Sequence, residues 1–541
     1  MLHGNRHKSI GTFKESFFSI LYIVMIISIV LICIILPNKI QYPNKNEYYI
    51  DNILSIPIGI AFFIGFYYIA CLFKNKKKDR MLIIISCIFT LVLFLLARNY
   101  SFKTDWDAGG MLENAQLISE NKYDLLENKY YSRYPNNILI TKIFSIAYKI
   151  ANFTKISDGY NYILLLNCFI YSWTGFLLYK ITNYLLNNDN IALLAWMIYV
   201  LLIGFSPWII IPYSDSISLG IVSLEAFLFF NVIKYKNEKR LIFIIALIFL
   251  SIFGYYIKPQ NIIIVIAMSI ISILEILKKR KNYNIKIKQI CFYSIPIIIT
   301  TILSLFIVKY IINTSGFKIN KEMKYGISHF LMMGWNEKRG GIWDEKDVVF
   351  SRSFNTCEER NKANIKVFKS RIKEMGFEGV INQMVKKTLI NYNDGSFAYG
   401  REGKFFLEDY NTGNIQLRKM FTNIYKNKGR YFLLFKQIMQ ILWITTLFFS
   451  IFSFSKSKKI QVLQLSIIGI TLFELIFEAR ARYLFAYAPV YIIIACIGFE
   501  NLIVFFRKKK EILYKSKQKL IEGSNDLWKK YHLLYQCIMK N

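Results

Sequence analysis

The sequence predicts an all-α protein that crosses a membrane about twelve times. Of its 541 residues, 54% are hydrophobic, and apolar runs of roughly 17–25 residues, the length that crosses the hydrocarbon core, recur along the chain. The formal net charge is +34, but the lysines and arginines stand in short segments between the apolar runs, as in cytoplasmic loops of membrane proteins. We therefore attribute the charge to contact with anionic lipid and expect no nucleic-acid partner.

The predicted spans alternate between the two sides of the membrane. Basic segments at 74–80, 234–240 and 277–288 are expected inside, and counting spans between them places both termini in the cytoplasm. The spans are predicted at residues 16–36, 53–73, 81–98, 161–185, 191–211, 216–234, 241–257, 260–277, 289–312, 431–453, 460–477 and 483–506. The apolar run 137–151 is short for a span. The alternation of the spans requires that both ends of this run lie on the same side of the membrane, so we expect an interfacial or re-entrant helix there.

Five regions follow from this alternation. The polar stretch 313–430 is too long for an ordinary loop, and its helical periodicity around 358–387 predicts a small folded cap outside the membrane. The regions are an N-terminal two-helix segment (1–80), a transmembrane core (81–312) with a first extracytoplasmic loop (99–160), the extracytoplasmic loop or cap (313–430), C-terminal transmembrane helices (431–506) and a basic cytoplasmic tail (507–541).

Two carboxylates, Asp105 and Asp107, stand where the third span leaves the bilayer. Acidic groups at this position are costly unless they serve a function. Nine further polar residues are expected on the same outer surface: Arg133, Tyr134, Asn136, Asp215, Lys258, His329, Glu478, Arg480 and Arg482. The cations could hold a phosphate, and an acid could accept the proton of an incoming hydroxyl. The pattern therefore indicates chemistry on an anionic lipid.

Each of these residues also has an ordinary structural interpretation. An acid at a helix end, such as Asp215, can cap the helix. Arg480, Arg482 and Lys258 can anchor helix ends at the lipid headgroups, and His329 can be a packed cap residue. Asp105 and Asp107 could bind a divalent cation through their oxygens. The eight cysteines show neither a disulfide framework nor metal-ligand spacing, so no metal site is predicted from them.

A series of short motifs resembles a known family. The acid pair after an early span is followed by RYPNN (133–137), a Tyr-Ser-Asp turn (213–215), YYIKPQN (255–261), SHFLMMGWNEKRGGIWDEKDV (328–348) and FEARARYLFAYAPV (477–490). In this order and on one side, they resemble the polytopic glycosyltransferases of the GT-C superfamily, in particular the bacterial protein O-mannosyltransferase and aminoarabinose-transferase branch, glycosyltransferase family 39. The resemblance covers most of residues 81–506.

This resemblance implies a reaction and roles for the residues. The family transfers a sugar from a polyprenyl-phosphate donor, in one displacement with inversion at the anomeric carbon. Asp105 or Asp107 would be the general base for the acceptor hydroxyl, and the family often has one dominant acid where this chain has two. Lys258, Arg480 and Arg482 would hold the donor phosphate with help from Arg133. No cofactor is implied.

The resemblance also implies a location and partners. The site would face outward from the cytoplasmic membrane of a bacterium, in contact with membrane lipids. The acceptor would be an envelope glycan, a glycolipid or a protein, and 313–430 is the natural segment to select it. A donor synthase on the cytoplasmic face and a flippase would act before this enzyme.

Two other functions fit part of the pattern. An O-antigen-type polymerase or ligase also has about a dozen spans and a large external loop, but the early acid pair favours the transferase. A lipid-linked-oligosaccharide flippase or another transporter would carry charges within its spans and an internal repeat. Here charges within spans are few, as at Glu225 and Glu474, and we find no repeat.

Overall fold

A computed structural model describes residues 2–73, 78–279, 287–402, 405–407 and 413–538 as an assembly of helices. Eleven helices in this part of the chain are long and apolar enough to cross a membrane, which confirms the polytopic all-α prediction. The α-helices are α1 (Leu2–Ile35), α2 (Asn52–Leu72), α3 (Lys78–Arg98), α4 (Asp107–Ser119), α5 (Asn128–Arg133), α6 (Asn137–Thr154), α7 (Gly159–Leu186), α8 (Asp189–Tyr199), α9 (Ser214–Lys234), α10 (Asn237–Ile257), α11 (Ile262–Lys279), α12 (Ile287–Asn313), α13 (Ile327–Gly334), α14 (Glu345–Arg352), α15 (Cys357–Tyr392), α16 (Ile415–Tyr425), α17 (Phe432–Ser450), α18 (Lys458–Ile476) and α19 (Ala488–Ile538).

Contacts between connecting segments define two ends of the helix bundle. At the first, which we call the basic end, Lys180 pairs with Asp79 at 2.6 Å and Lys78 donates to Asn190 at 3.1 Å. The opposite end, which we call the site end, carries α4 to α6, the turns after α8 and α10, and the cap helices α13 to α16. The two contacts at the basic end bring residues 78–79 together with residues 180 and 190.

The span expected at 191–211 is a broken helix. Helix α8 continues into a π-helical turn, Val200–Gly204, and is shorter than the eleven long apolar helices. Asn190 lies at the basic end, whereas the carbonyl of Ile210 accepts a hydrogen bond from Tyr160 at 2.8 Å, at the site end. A 3-10 turn, Pro207–Ile210, completes the passage. The chain therefore passes from one end of the bundle to the other between residues 189 and 211, and the part after α8, which we call the irregular segment, is not regular α-helix.

Helix α6 corresponds to the short apolar run 137–151. Both of its ends lie at the site end, since Lys142 donates to the carbonyl of Thr314 at 2.9 Å and Thr154 bonds Tyr162 at 2.9 Å. Its buried face packs on α4, while its outer face exposes Ile146, Ile150 and, at 90%, Phe153. An apolar outer stripe on a helix that does not cross is typical of a helix lying at a membrane interface.

Candidate functional site

Seven charged side chains gather at the site end of the bundle. We call them the charged cluster: Asp107, Asp215, Lys258, Glu402, Glu478, Arg480 and Arg482. They come from five separate segments of the chain: the starts of α4 and α9, the turn after α10, the segment after α15 and the connection after α18. Groups distant in sequence therefore meet in one place, as expected for a binding or catalytic centre.

Two cations of the cluster are held by carboxylates. Lys258 forms a buried ion pair with Asp215, and its ammonium lies 4.4 Å from the centre of the Tyr483 ring. Arg480 bonds Glu478 at 3.1 Å, and the same carboxylate accepts from the Tyr483 hydroxyl at 3.1 Å. Buried charges are tolerated when they are paired in this way, so both cations have defined positions.

The third cation, Arg482, is bound less completely. Its Nε lies 3.6 Å from Glu402 and 4.0 Å from Asp215, beyond the usual length of a charge-assisted hydrogen bond. Its guanidinium lies 5.0 Å from the Trp106 ring centre and 5.2 Å from that of Tyr213. The residue is 7% exposed, yet its Nε and Nη1 have no hydrogen-bond partner among the described residues. Arg482 is therefore suited to bind a further anion.

The structure separates the two acids of the first loop. Asp107 accepts a hydrogen bond from Tyr213 at 3.3 Å. Burial raises the pKa of Asp107, although Arg482 and hydrogen bonds from Tyr130 and Tyr213 act against this rise. Asp105 is exposed. A carboxyl group with a raised pKa is a better general base near neutral pH, so Asp107 has an environment that suits a general base.

Three of the residues expected near the lipid form a rim beside the cluster. The Tyr134 ring lies 5.2 Å from Tyr130, and Asn136 donates to Asn137 at 3.0 Å, which in turn donates to Tyr130 at 2.6 Å. The carbonyl of Arg133 accepts a hydrogen bond from the backbone of Tyr325 in the cap at 3.1 Å. The rim supports Asp107 indirectly, through Tyr130.

His329 lies in the cap and is not brought into the charged cluster. Its Nδ1 bonds the Ser351 hydroxyl at 2.7 Å, and its ring stacks on Tyr325 with centroids 4.2 Å apart. The side chain is fully buried. These contacts favour the packed cap histidine over the substrate-binding one.

The buried state of His329 predicts a pH-dependent stability. Burial lowers its pKa to about 4, whereas an unfolded chain has a histidine pKa of about 6.5. Since the folded chain then binds fewer protons between these values, this contribution to stability is complete above about pH 6.5 and is lost as the pH falls through about 4. Thermal unfolding of the detergent-solubilised protein, measured across this range, should be less pH-dependent for His329→Gln than for wild type. Identical pH profiles would contradict this explanation.

Glu402 belongs to the cluster although no motif marks it in the sequence. It follows a turn in which Phe397 and Ala398 both have positive φ, 55° and 59°, a conformation that costs non-glycine residues about 1–3 kcal/mol each. Asp394 holds this turn by accepting from the Ser396 backbone at 3.0 Å and from the Ala398 backbone at 3.1 Å. A positive φ is not expected for phenylalanine or alanine, so the sequence does not predict this turn. The position of Glu402 after the turn is therefore known only from the folded structure.

The cap also fixes the segment that carries the arginines. Lys387 of α15 is fully buried and donates to the carbonyls of Gly334 at 3.1 Å, of Leu475 at 2.8 Å and of Phe477. The backbone of Ala479 donates to the carbonyl of Gly341 at 2.9 Å. The connection after α18 is thereby bound to the cap on both sides of Glu478.

A methyl group at Gly334 should disturb this contact. A Cβ there would meet the carbonyl oxygen of Phe477 and lie 2.5 Å from its carbonyl carbon. Overpacking of this kind typically costs about 1–3 kcal/mol, so Gly334→Ala should lower the thermal unfolding temperature. Gly65→Ala is the matched control, because a Cβ at Gly65 meets nothing within 4 Å. Equal unfolding temperatures for the two variants would contradict the tight contact.

An apolar cleft opens between α3 at Leu93, the segment after α8 at Ile210 and the cap helix α16 at Phe421. Trp208 belongs to the same segment after α8, and its ring centre lies 6.3 Å from that of Trp106. The guanidinium of Arg482 in turn lies 5.0 Å from the Trp106 ring centre. Two tryptophan rings therefore connect the segment that borders the cleft with Arg482.

Among the described residues, no group of three or more histidine, cysteine, aspartate or glutamate side chains could hold a metal ion. A divalent cation at Asp105 and Asp107 would thus lack a third ligand of these types in the described part of the chain. The charged cluster instead combines donors for an anion with the carboxylate of Asp107, whose pKa is raised by burial.

Comparison with known sequences gives one finding. A model of the protein family described as conserved hypothetical integral membrane protein matches residues 10–503. The match includes every residue of the charged cluster. No curated protein and no solved structure matches the chain significantly.

Proposed function

This chain belongs to the family of conserved hypothetical integral membrane proteins, and we propose that it is a glycosyltransferase that uses a polyprenyl-phosphate sugar. The observation that carries the proposal is the shared contact of Tyr213. Its hydroxyl binds Asp107 at 3.3 Å, and its ring lies 5.2 Å from the guanidinium of Arg482. A proton acceptor and an anion-binding group therefore lie side by side, which is the arrangement that transfer from a phosphate to a hydroxyl needs.

In this proposal the residues have separate roles in a single displacement reaction. Asp107 takes the proton of the acceptor hydroxyl, whose oxygen forms a bond to the anomeric carbon while the bond from that carbon to the phosphate oxygen breaks. The sugar is inverted and the polyprenyl phosphate leaves. Arg482, Lys258 and Arg480 stabilise the charge on the leaving phosphate. Because phosphate is already a good leaving group, alignment of the reactants provides much of the acceleration.

The fold supports a lipid-linked donor. In this proposal the polyprenyl chain lies against the apolar cleft at Leu93, Ile210 and Phe421. By the positive-inside rule the basic end would face the cytoplasm, and the charged cluster would then lie outside. There the enzyme would receive donor made by a cytoplasmic-face synthase, moved across by a flippase, and glycosylate an envelope polymer, a glycolipid or a protein.

A membrane assay tests the proposal directly. Membranes from cells that produce the protein supply the acceptor, and a polyprenyl-phosphate hexose labelled in the sugar is added. We expect the label to move from the lipid fraction into glycan or protein while polyprenyl phosphate is released. Membranes without the protein are the control. Intact lipid-linked sugar that crosses the bilayer uncleaved would favour a flippase, and longer polymer chains with unchanged substituents would favour a polymerase.

A further inference from the structure

The charges of the cluster pose a problem for a phosphate ligand. Three cations, Lys258, Arg480 and Arg482, face four carboxylates, those of Asp107, Asp215, Glu402 and Glu478. An anion entering this cluster meets cations whose charge is already balanced, and like charges held close together repel it. Both carboxylates near Arg482 lie closest to its Nε, so a phosphate that uses this nitrogen takes the place of a carboxylate.

Three of the four carboxylates are bound by other groups. Asp215 pairs with Lys258 at the start of α9. Glu478 binds both Arg480 and the Tyr483 hydroxyl, each at 3.1 Å. Asp107 accepts from Tyr213 at 3.3 Å. Each of these acids has a hydrogen bond or ion pair that does not involve Arg482.

Glu402 differs from the other three. Its carboxylate lies 3.4 Å from Arg480 Nη1 and 3.6 Å from Arg482 Nε, both longer than a charge-assisted hydrogen bond of about 2.7–2.9 Å. No further side-chain partner of this carboxylate occurs among the described residues. The residue lies outside any helix, so no helical backbone fixes its side chain. Glu402 is therefore the acid whose contact with Arg482 costs the least free energy to break.

Arg482 in turn can accept a replacement. Its Nε and Nη1 lack hydrogen-bond partners in the described part of the chain, although the side chain is only 9% exposed. Two phosphate oxygens match the planar fork of a guanidinium better than one distant carboxylate oxygen does. An exchange of partners would thus satisfy donors that the carboxylate leaves unsatisfied.

We propose that Glu402 holds Arg482 in the place of the lipid phosphate, releases it when the donor binds and reclaims it after transfer, so that this carboxylate drives release of the product. The inference rests on the proposed function, since it assumes a lipid phosphate as ligand. Glu402 weakens phosphate binding at equilibrium and competes most directly with the product, which carries the free phosphate group. The benefit is that the enzyme is not trapped by its own product.

Binding of farnesyl phosphate to the purified protein, measured by calorimetry in detergent, tests this role. Glu402→Gln removes the competing charge at nearly constant shape and should bind the probe about tenfold more tightly than wild type. Glu402→Ala should change the affinity in the same direction and serves as the second variant should the glutamine protein not fold. Glu337→Gln is the matched control, because it makes the same change in the cap, where the carboxylate lies 4.0 Å from Lys386 and outside the charged cluster, and we expect no tightening.

The outcomes separate this inference from the proposed function. If wild type binds farnesyl phosphate no better than uncharged farnesol, the anion site itself is wrong and the proposed function fails with it. If wild type prefers the phosphate and Arg482→Ala abolishes the preference, but both Glu402 variants bind equally or more weakly, then Glu402 positions Arg482 and does not compete with the ligand. Tighter binding by the Glu402 variants alone supports the exchange.

Discussion

Replacing Asp107 with asparagine is expected to lower sugar transfer at least about hundredfold, the scale of a lost general base. The amide keeps the shape of the side chain and can still contact Tyr213, but it cannot accept the proton of the acceptor hydroxyl. Donor binding should change little, because Arg482, Lys258 and Arg480 remain. Transfer of labelled sugar and binding of farnesyl phosphate, measured on the same preparation, check both statements.

Asp105→Asn is the matched control for this experiment. Asp105 carries the same group two residues earlier, but it is exposed. The Asp105→Asn variant should therefore retain most of the activity. An equal loss in both variants would mean that the two acids act together. A loss of donor binding in Asp107→Asn with transfer per bound donor unchanged would give Asp107 a structural role.

Removing the Arg482 guanidinium is expected to have the second large effect. Arg482→Ala should weaken donor binding about tenfold to a hundredfold, because it deletes the cation whose Nε and Nη1 have no hydrogen-bond partner among the described residues. It should also lower the unfolding temperature, since removing one partner of a buried ion pair typically costs about 3–5 kcal/mol. Calorimetry with farnesyl phosphate and thermal unfolding measure the two effects separately.

Arg482→Lys distinguishes anion binding from anchoring. Lysine keeps the charge but not the planar fork, so donor affinity should lie between those of wild type and Arg482→Ala. The lysine should largely restore the unfolding temperature, because Asp215 and Glu402 keep a cationic partner. A lower unfolding temperature in Arg482→Ala with unchanged donor affinity would show that Arg482 only anchors the chain.

Hydropathy predicted most of the membrane part because its physical basis is local. Inside a bilayer each backbone polar group must be satisfied within its own segment, so a long apolar run becomes a helix wherever it occurs. The run at 191–211 shows the limit of this rule: α8 and its π-helical turn are shorter than the other spans, and Pro207 begins a 3-10 turn. Burial against neighbouring helices allows this irregular backbone, and hydropathy does not report burial.

The order of the motifs likewise indicated where the site lies in the bundle, but it did not predict which residues form the charged cluster. The Tyr-Ser-Asp turn, the Lys-Pro step and the Glu-Ala-Arg segment all supply residues of the charged cluster. His329 came from an equally distinctive motif and lies in the cap instead, on Ser351. A motif shows that a residue type occurs at a position, whereas the partner of its side chain depends on which other segment packs against it.

The sequence by itself determined the class of the protein, the segments that cross the membrane and the end of the bundle at which its polar residues collect, because these depend on the transfer of local segments out of water. Only the tertiary structure decided which acid of the first loop lies near Arg482 and that Glu402 joins the cluster. Burial and electrostatic environment are set jointly by segments far apart in the chain, so the chemical role of a carboxylate follows from its neighbours in space.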